Sequence, residues 1–398
     1  MRLTLVPTDK EDDMAEERRI VLSAKDVEVK FRVRENYLTA IRNVSLDLYE
    51  GETFAIVGES GSGKSVFTKT FTGMLESNGR VTNGSIMFYG RDLPQPEIDK
   101  DKKDAADQPA TDEAPQGIDL VTLKKDKDWE GIRGAKIATV FQDPMTSLNP
   151  IRTIGSQIME VIEKHQKISK QDAKAQAIEM MTKVGIPNAA DRFDEYPFQY
   201  SGGMRQRIVI AIALSCHPEI LICDEPTTAL DVTIQAQIIK LIKDLQKELG
   251  FTTVYITHDL GVVAKVADRV GVMYGGQIIE YGTAEEIFYD PKHPYTWALL
   301  SALPQLGVKG EDLYYITGTP PSLFNRIIGD SFAPRNPKAL QIDFVKEPPF
   351  FRVSDTHYAK TWLLDPRAPE LEKPEIIQDL HEKIEQMTGK GGAFYVDE

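Results

Sequence analysis

Apolar and polar positions alternate through the first part of the chain. "RIVLSAKDVEVKF" and "RNVSLDLYEGETFAIVG" alternate apolar and polar residues over much of their length, and Glu50-Gly51 marks a turn. That period predicts half-buried strands. "FAIVG" is a short continuous apolar run that suits a buried strand, and it leads directly into a glycine-rich loop. "VFTKTFTGML" then switches to helical spacing, and "GSIMFYGRDL" returns to a strand pattern. From Ile154 to Val184 apolar residues recur every three or four positions, predicting one helix that Gly185-Ile186-Pro187 ends. Beyond Gly203 the pattern predicts a helix, a strand at "EILICDEP", a helix through "TIQAQIIKLIKDLQKEL", a strand at "FTTVYITHD" and short strands around "RVGVMYGGQIIEYG". Strands alternating with helices imply a mainly parallel sheet. After about Ile287 the texture becomes proline-punctuated, as in "DPKHPYTWALLSALP", which predicts a second small domain or extension.

Composition changes this picture in one place. From Leu93 to Asp128 the chain is rich in Asp, Lys, Pro and Ala and almost without aromatic residues. Such a segment buries too little apolar surface to offset its ordering entropy, so it is read as a solvated insertion, with a docking or regulatory loop as the alternative. The whole chain has 398 residues, 41% of them hydrophobic, and a net charge of −14. That length suits more than one domain. The negative balance argues against a nucleic-acid partner. The only cysteines, Cys216 and Cys223, lie in apolar segments and read as reduced core thiols. The charged start "MRLTLVPTDKEDDMAEERRIVL" has no apolar stretch of the kind found in signal peptides. The longest apolar run, Ile208 to Cys216, is too short to span a bilayer. The expectation is a cytosolic chain; at a membrane, other subunits would supply the spans.

Candidate chemistry begins at "GESGSGKS", Gly58 to Ser65, which fits GxxxxGK[ST] between a strand and a helix. Glycines let backbone N–H groups converge on phosphate oxygens, and the helix start adds a positive dipole end. Lys64 would reach the β- and γ-phosphates, and the Ser65 hydroxyl would ligate Mg²⁺. "EILICDEP" ends an apolar strand in Asp224 and Glu225. Asp224 would hold Mg²⁺, and Glu225 would polarise an attacking water as general base. "YSGGMRQR" is a second anion-binding helix start, and equally reads as a serine-capped helix. His258 in "ITHD" and Gln142 in "ATVFQDPMTSLNP" follow strands and would lie at the same sheet edge. Either residue alone carries little information.

Taken together and in this order, these residues resemble the ATP-binding-cassette family over roughly residues 19–287. The resemblance implies an α/β P-loop fold: a mostly parallel sheet core, an antiparallel β subdomain and a helical subdomain at about 143–218. A tail precedes it at 1–18 and an extension follows at 288–398. It implies ATP contacts from Phe31, Gly58, Ser60, Gly61, Ser62, Gly63, Lys64, Ser65, Val66 and Gln142. Phe31 would stack on adenine, with Tyr37 as a substitute. Mg²⁺ would be held by Ser65, Gln142 and Asp224, and catalysis carried by Glu225, His258 and Lys64. Ser201, Gly202, Gly203 and Met204 would be the signature serving a partner's ATP, and Asp231 would belong to the D-loop. Met204 stands where the usual signature has glutamine, with Gln206 nearby.

"FQDPMTSLNP", "DPKHPYTWALLSALP" and "HYAKTWLLDPRAP" narrow the resemblance to the oligopeptide, dipeptide and nickel import branch, and most closely to its D-type ATPase subunits. This implies a peripheral protein on the cytoplasmic side of the membrane. Its partners would be a second, F-type ATPase subunit, two transmembrane permeases and an extracytoplasmic peptide-binding lipoprotein. Many relatives hold an iron–sulfur cluster in the extension. Here Asp330 and Asn336 stand in "GDSFAPRNP" at cysteine positions, so no thiolate-bound cluster is expected. The alternatives are the same architecture importing dipeptides or nickel, and a soluble cassette ATPase acting on ribosomes or DNA. Such soluble proteins usually carry two cassettes or a long coiled coil, and this chain has neither.

Overall fold

The computed structural model describes residues 18–91, 117–228, 230–302, 316–369 and 377. Its strands, in chain order, are Ile20–Val33 (β1), Asn36–Tyr49 (β2), Thr53–Val57 (β3), Gly79–Phe88 (β4), Ile118–Asp119 (β5), Ile137–Val140 (β6), Ile220–Asp224 (β7), Thr252–Ile256 (β8), Arg269–Tyr274 (β9), Gln277–Thr283 (β10), Phe351–Arg352 (β11) and Tyr358–Ala359 (β12). They form two sheets. The smaller has the order β2-β1-β4-β5 and is antiparallel; the larger runs β11-β12-β10-β9-β3-β8-β7-β6. Within the larger sheet β9, β3, β8, β7 and β6 are parallel, while β10, β12 and β11 add on antiparallel.

The strand period explains the layering. Phe54 and Ile56 of β3, and Ile220 and Ile222 of β7, pack into the core shared with the small sheet. Ala55 and Val57, and Leu221 and Cys223, point the other way, into the core shared with the helices. A sheet covered on both faces needs continuous apolar strands, which is what "FAIV" and "ILIC" are. Cys223 is fully buried, and burial pushes its thiol pKa up, so it stays protonated.

Three expectations are corrected. The helix after the phosphate loop is only Lys64–Lys69. Beyond it the Thr70 and Thr72 hydroxyls donate back to the carbonyls of Phe67 and Lys69, and Gly73 takes a left-handed conformation at φ 60°. Those local bonds compete with helix continuation. The helix expected over Ile154–Val184 is two, Ile154–His165 and Lys170–Lys183. Ser169 starts the second, its Oγ accepting the Asp172 N–H. The insertion also ends earlier than its composition implies. Residues 92–116 lie outside the described part, but from Gly117 onward the chain is built into the fold. β5 pairs with β4, Leu120 is 1% exposed, and Asp119 caps the turn that follows.

The C-terminal extension continues the cassette's sheet. β12 pairs with β10, Glu280 opposite Ala359 and Tyr281 opposite Tyr358. Behind this pairing the buried carboxylate of Glu280 meets Nε2 of buried His357 at 2.8 Å and accepts the N–H groups of Lys292 and His293. Asp330 and Asn336 each close a turn: Asp330 accepts the Phe332 N–H and Asn336 the Lys338 N–H. With Phe332 fully buried beside them, hydrogen bonds and packing hold this stretch.

Candidate functional site

The C-terminal ends of β3, β6, β7 and β8 come together at one edge of the large sheet, the position at which parallel α/β sheets hold ligands. β3 delivers the Gly58–Ser65 loop. Gly58 has φ 148° and Gly63 φ 106°. A Cβ on Gly58 would lie 2.1 Å from the Met273 carbonyl oxygen, and one on Gly63 2.9 Å from that of Ala40, so the loop packs too tightly for other residues. Lys64 Nζ bends back to donate to the carbonyls of Gly58 (2.8 Å) and Glu59 (3.0 Å). Ser62 Oγ is buried without a hydrogen-bond partner.

β7 delivers the carboxylates. The Ser65 hydroxyl donates to Asp224 Oδ1 at 2.9 Å. Burial, with Glu225 alongside, pushes the Asp224 carboxyl up, against the Ser65 bond and Lys64. Burial also pulls the Lys64 ammonium down, opposed by Glu225, Asp224 and Glu59. A cation beside Asp224 and an anion beside Lys64 would each supply the opposite charge that burial makes costly to lack. The orphaned Ser62 hydroxyl, the glycine cradle and this charge pair fit a magnesium-bound nucleoside triphosphate. Ser65 and Asp224 would hold Mg²⁺, which screens phosphate charge when bound. Among the described residues no three His, Cys, Asp or Glu side chains gather to bind a metal. A cation here would share its coordination with phosphate and water, as Mg²⁺ commonly does.

Glu225 is the hub of the edge. Its Oε2 accepts from Gln142 Nε2 (3.0 Å) and Thr228 Oγ1 (3.0 Å), and its Oε1 lies 3.2 Å from His258 Nδ1. Its backbone is left-handed at φ 48°, a conformation costing about 1–2 kcal/mol for a residue with a side chain. The Glu225 N–H donates to the Ile256 carbonyl, which fixes the turn. A carboxylate so oriented can accept a proton from water held between it and a phosphate. Gln142 thus meets the Glu225 carboxylate rather than the Ser65–Asp224 pair.

The remaining residues lie apart. Ser201 and Gly202 are exposed at the start of the helix Gly202–Leu214, with Ser201 Oγ accepting the Met204 N–H at 3.4 Å. Among the described residues no hydrogen bond joins Ser201–Met204 to the phosphate loop. Gly203 is required by packing, since a Cβ would lie 2.6 Å from Ile234 Cγ2. Met204 leans on the main core, and Gln206 is fully buried, so Gln206 does not reach the signature's surface. Asp231 caps the helix Val232–Leu249, accepting the Ile234 N–H. Val66 packs on the core shared with the small sheet. The Phe31 ring covers Gly79, whereas Tyr37 is 58% exposed and has the freer face.

Residues 41–228 match the ABC transporter family, and residues 279–342 match the oligopeptide/dipeptide transporter C-terminal region. The oligopeptide transport ATP-binding protein AmiE of Streptococcus pneumoniae is 61% identical over 376 residues, 94% of this chain and 98% of that one. The chain belongs to the peptide-transport ATP-binding proteins of the ABC transporter family. The dipeptide transport ATP-binding protein DppD of Lactococcus lactis is 51% identical over 377 residues, 94% of this chain and 99% of that one. Among solved structures, the ATP-binding cassette MJ0796, a dimer in a post-hydrolysis state bound to ADP and Pi, superposes with a TM-score of 0.53. It is 26% identical and covers 66% of this chain and 98% of that one. As a member of this family the chain is a transport ATPase.

Sequence reasoning missed the surroundings of Glu59. Its carboxylate is held by Arg335 of the extension, and its N–H donates to the Tyr295 hydroxyl at 2.8 Å. An acidic residue inside a phosphate loop was a legible charge conflict, but nothing local named its partner.

Proposed function

We propose that this chain binds and hydrolyses ATP to power an importer of peptides, working as a peripheral subunit on the cytoplasmic face of the membrane. The observation that carries the reading is the convergence of Gln142, Thr228 and His258 on Glu225, beside the Ser65–Asp224 pair and Lys64. In this reading Lys64 and the loop N–H groups hold the phosphates, and Ser65 and Asp224 hold Mg²⁺. Glu225 takes the proton of the attacking water, and His258 and Gln142 orient Glu225 and the γ-phosphate. Tyr37 or Phe31 stacks on adenine.

Ser201, Gly202, Gly203 and Met204 form a helix start, exposed at Ser201 and Gly202, that makes no hydrogen bond to this chain's own phosphate loop among the described residues. They complete the nucleotide site of a second ATPase subunit, and that subunit's signature completes this one. The second subunit is an F-type relative, which makes a heterodimer. Closing around ATP and reopening after hydrolysis is a two-state change biased by the γ-phosphate.

Two transmembrane permeases receive that motion, and an extracytoplasmic lipoprotein delivers the peptide to them. The proposed permease surface follows Gln142. There Met145 is 62% exposed, Ile151 82% and Phe198 71%, with the Tyr196 and Phe198 rings stacked at 5.8 Å. Large apolar side chains exposed in this way suit a protein contact. Among the described residues no helix is long and apolar enough to cross a membrane. In this reading the choice of peptide lies with the permeases and the binding lipoprotein.

Affinity purification of the tagged chain from detergent-solubilised membranes, with mass spectrometry, tests the assembly. Two polytopic membrane proteins and a second cassette are expected. Co-purification with ribosomes, or with nothing, would contradict it.

A further inference from the structure

Glu59 is the only acidic side chain in the Gly58–Ser65 loop. A free carboxylate there would repel the phosphates and compete with them for Lys64. The structure instead gives it a counter-charge from the extension. Arg335 Nη1 donates to Glu59 Oε2 at 2.7 Å and Nη2 to Oε1 at 3.0 Å, a two-pronged pair. The Arg335 side chain is 5% exposed. It is itself held by Nε donating to the Thr317 carbonyl (2.9 Å) and by Nη1 donating to the Tyr274 hydroxyl (3.2 Å). Phe332, three residues earlier, packs edge-on against Tyr274 and Tyr295, each at 5.3 Å. Tyr295 in turn accepts the Glu59 N–H, and Lys64 donates to the Glu59 carbonyl. Side chain, N–H and carbonyl of one loop residue are therefore all fixed, two of them by the extension.

We infer that Arg335 is a positioning residue for nucleotide binding: it neutralises Glu59 and ties its side chain to the extension, so the loop presents Lys64 and its N–H groups to the phosphates. The extension thereby takes part in the ATP site from outside the cassette. This rests on the reading of Gly58–Ser65 as the phosphate site. Removing Arg335 leaves a carboxylate on the loop with no counter-charge, and the harm falls on phosphate rather than on adenosine.

Binding of Mg·ATP and of adenosine to the purified full chain tests this, with circular dichroism to show that each variant is folded. Arg335→Ala should weaken Mg·ATP by about tenfold, the scale of a lost charge-assisted pair, and leave adenosine unchanged. Adding Glu59→Gln to Arg335→Ala should restore most of the loss, because the uncompensated charge is gone. A merely structural arginine would give no such rescue. If Arg335→Ala does not fold, Arg335→Gln carries the same expectations. Unchanged ATP affinity, equal weakening of ATP and adenosine, or a double variant no better than the single one would each overturn the inference. Lys64→Ala separates the two layers. If Lys64→Ala binds ATP normally, the phosphate-site reading itself fails. If Lys64→Ala loses ATP while Arg335→Ala keeps it, only the role of Arg335 falls.

Discussion

At the residue scale, charge and burial set each group's task. Three side chains hold the Glu225 carboxylate in place, as the proposed base requires, and the Ser65–Asp224 pair sits where the proposed cation would be bound. Outside the site the same rules govern stability. Burial pushes the Asp330 carboxyl up to about 7, with nearby Asp343 adding to the effect. The folded protein then holds a proton that the unfolded chain has lost between pH 3.8 and about 7. Stability from this group is fully present below pH 3.8 and is lost progressively as pH rises from there to about 7, by at most about 4 kcal/mol. Buried His293 acts at the other end. Burial pulls it down to about 4, so stability falls as pH drops from 6.5 towards 4. Asp330→Asn keeps an acceptor for the Phe332 N–H but cannot ionise. Thermal melting should give it a higher Tm than wild type at pH 8, an advantage that shrinks as pH falls from about 7 towards 4. A gain independent of pH would contradict the account.

At the element scale, β3 and β7 were legible because both their faces are buried, β1 and β2 because apolar and polar positions alternate, and the motifs because each lies at a strand end or helix start. "GESGSGKS", "ICDEP" and "ITHD" announce their places through their own neighbours. Helix ends were less legible, since threonine hydroxyls and Ser169 divert the backbone at positions where the apolar spacing continues. The acidic insertion misled for another reason: composition averaged over a window hid Leu120, one buried side chain at its far end. Deleting 93–116 should therefore leave ATP hydrolysis near normal. Deleting 93–128 should destabilise the fold by about 3 kcal/mol or more, because β5 and the buried Leu120 go with it. Denaturant melts of the two deletions separate these outcomes; equal stability would show that β5 contributes nothing.

At the scale of the whole molecule, cassette and extension are one structure. β12 extends the cassette's sheet, His357 meets Glu280 across 77 positions of sequence, and Arg335 meets Glu59 across 276. Contacts that distant leave no local pattern, which is why the sequence foretold an extension but not its grip on the phosphate loop. The proposed function turns on Glu225. If this chain's hydrolysis drives import, replacing the Glu225 carboxylate with an amide should slow turnover about a hundredfold or more while ATP still binds. The most direct measurement is uptake of a labelled oligopeptide by cells whose only copy of this chain is wild type or Glu225→Gln, with equal amounts of assembled transporter. Uptake should fall to background in the variant. Uptake at the wild-type rate would contradict the claim that ATP hydrolysed at this site powers peptide import.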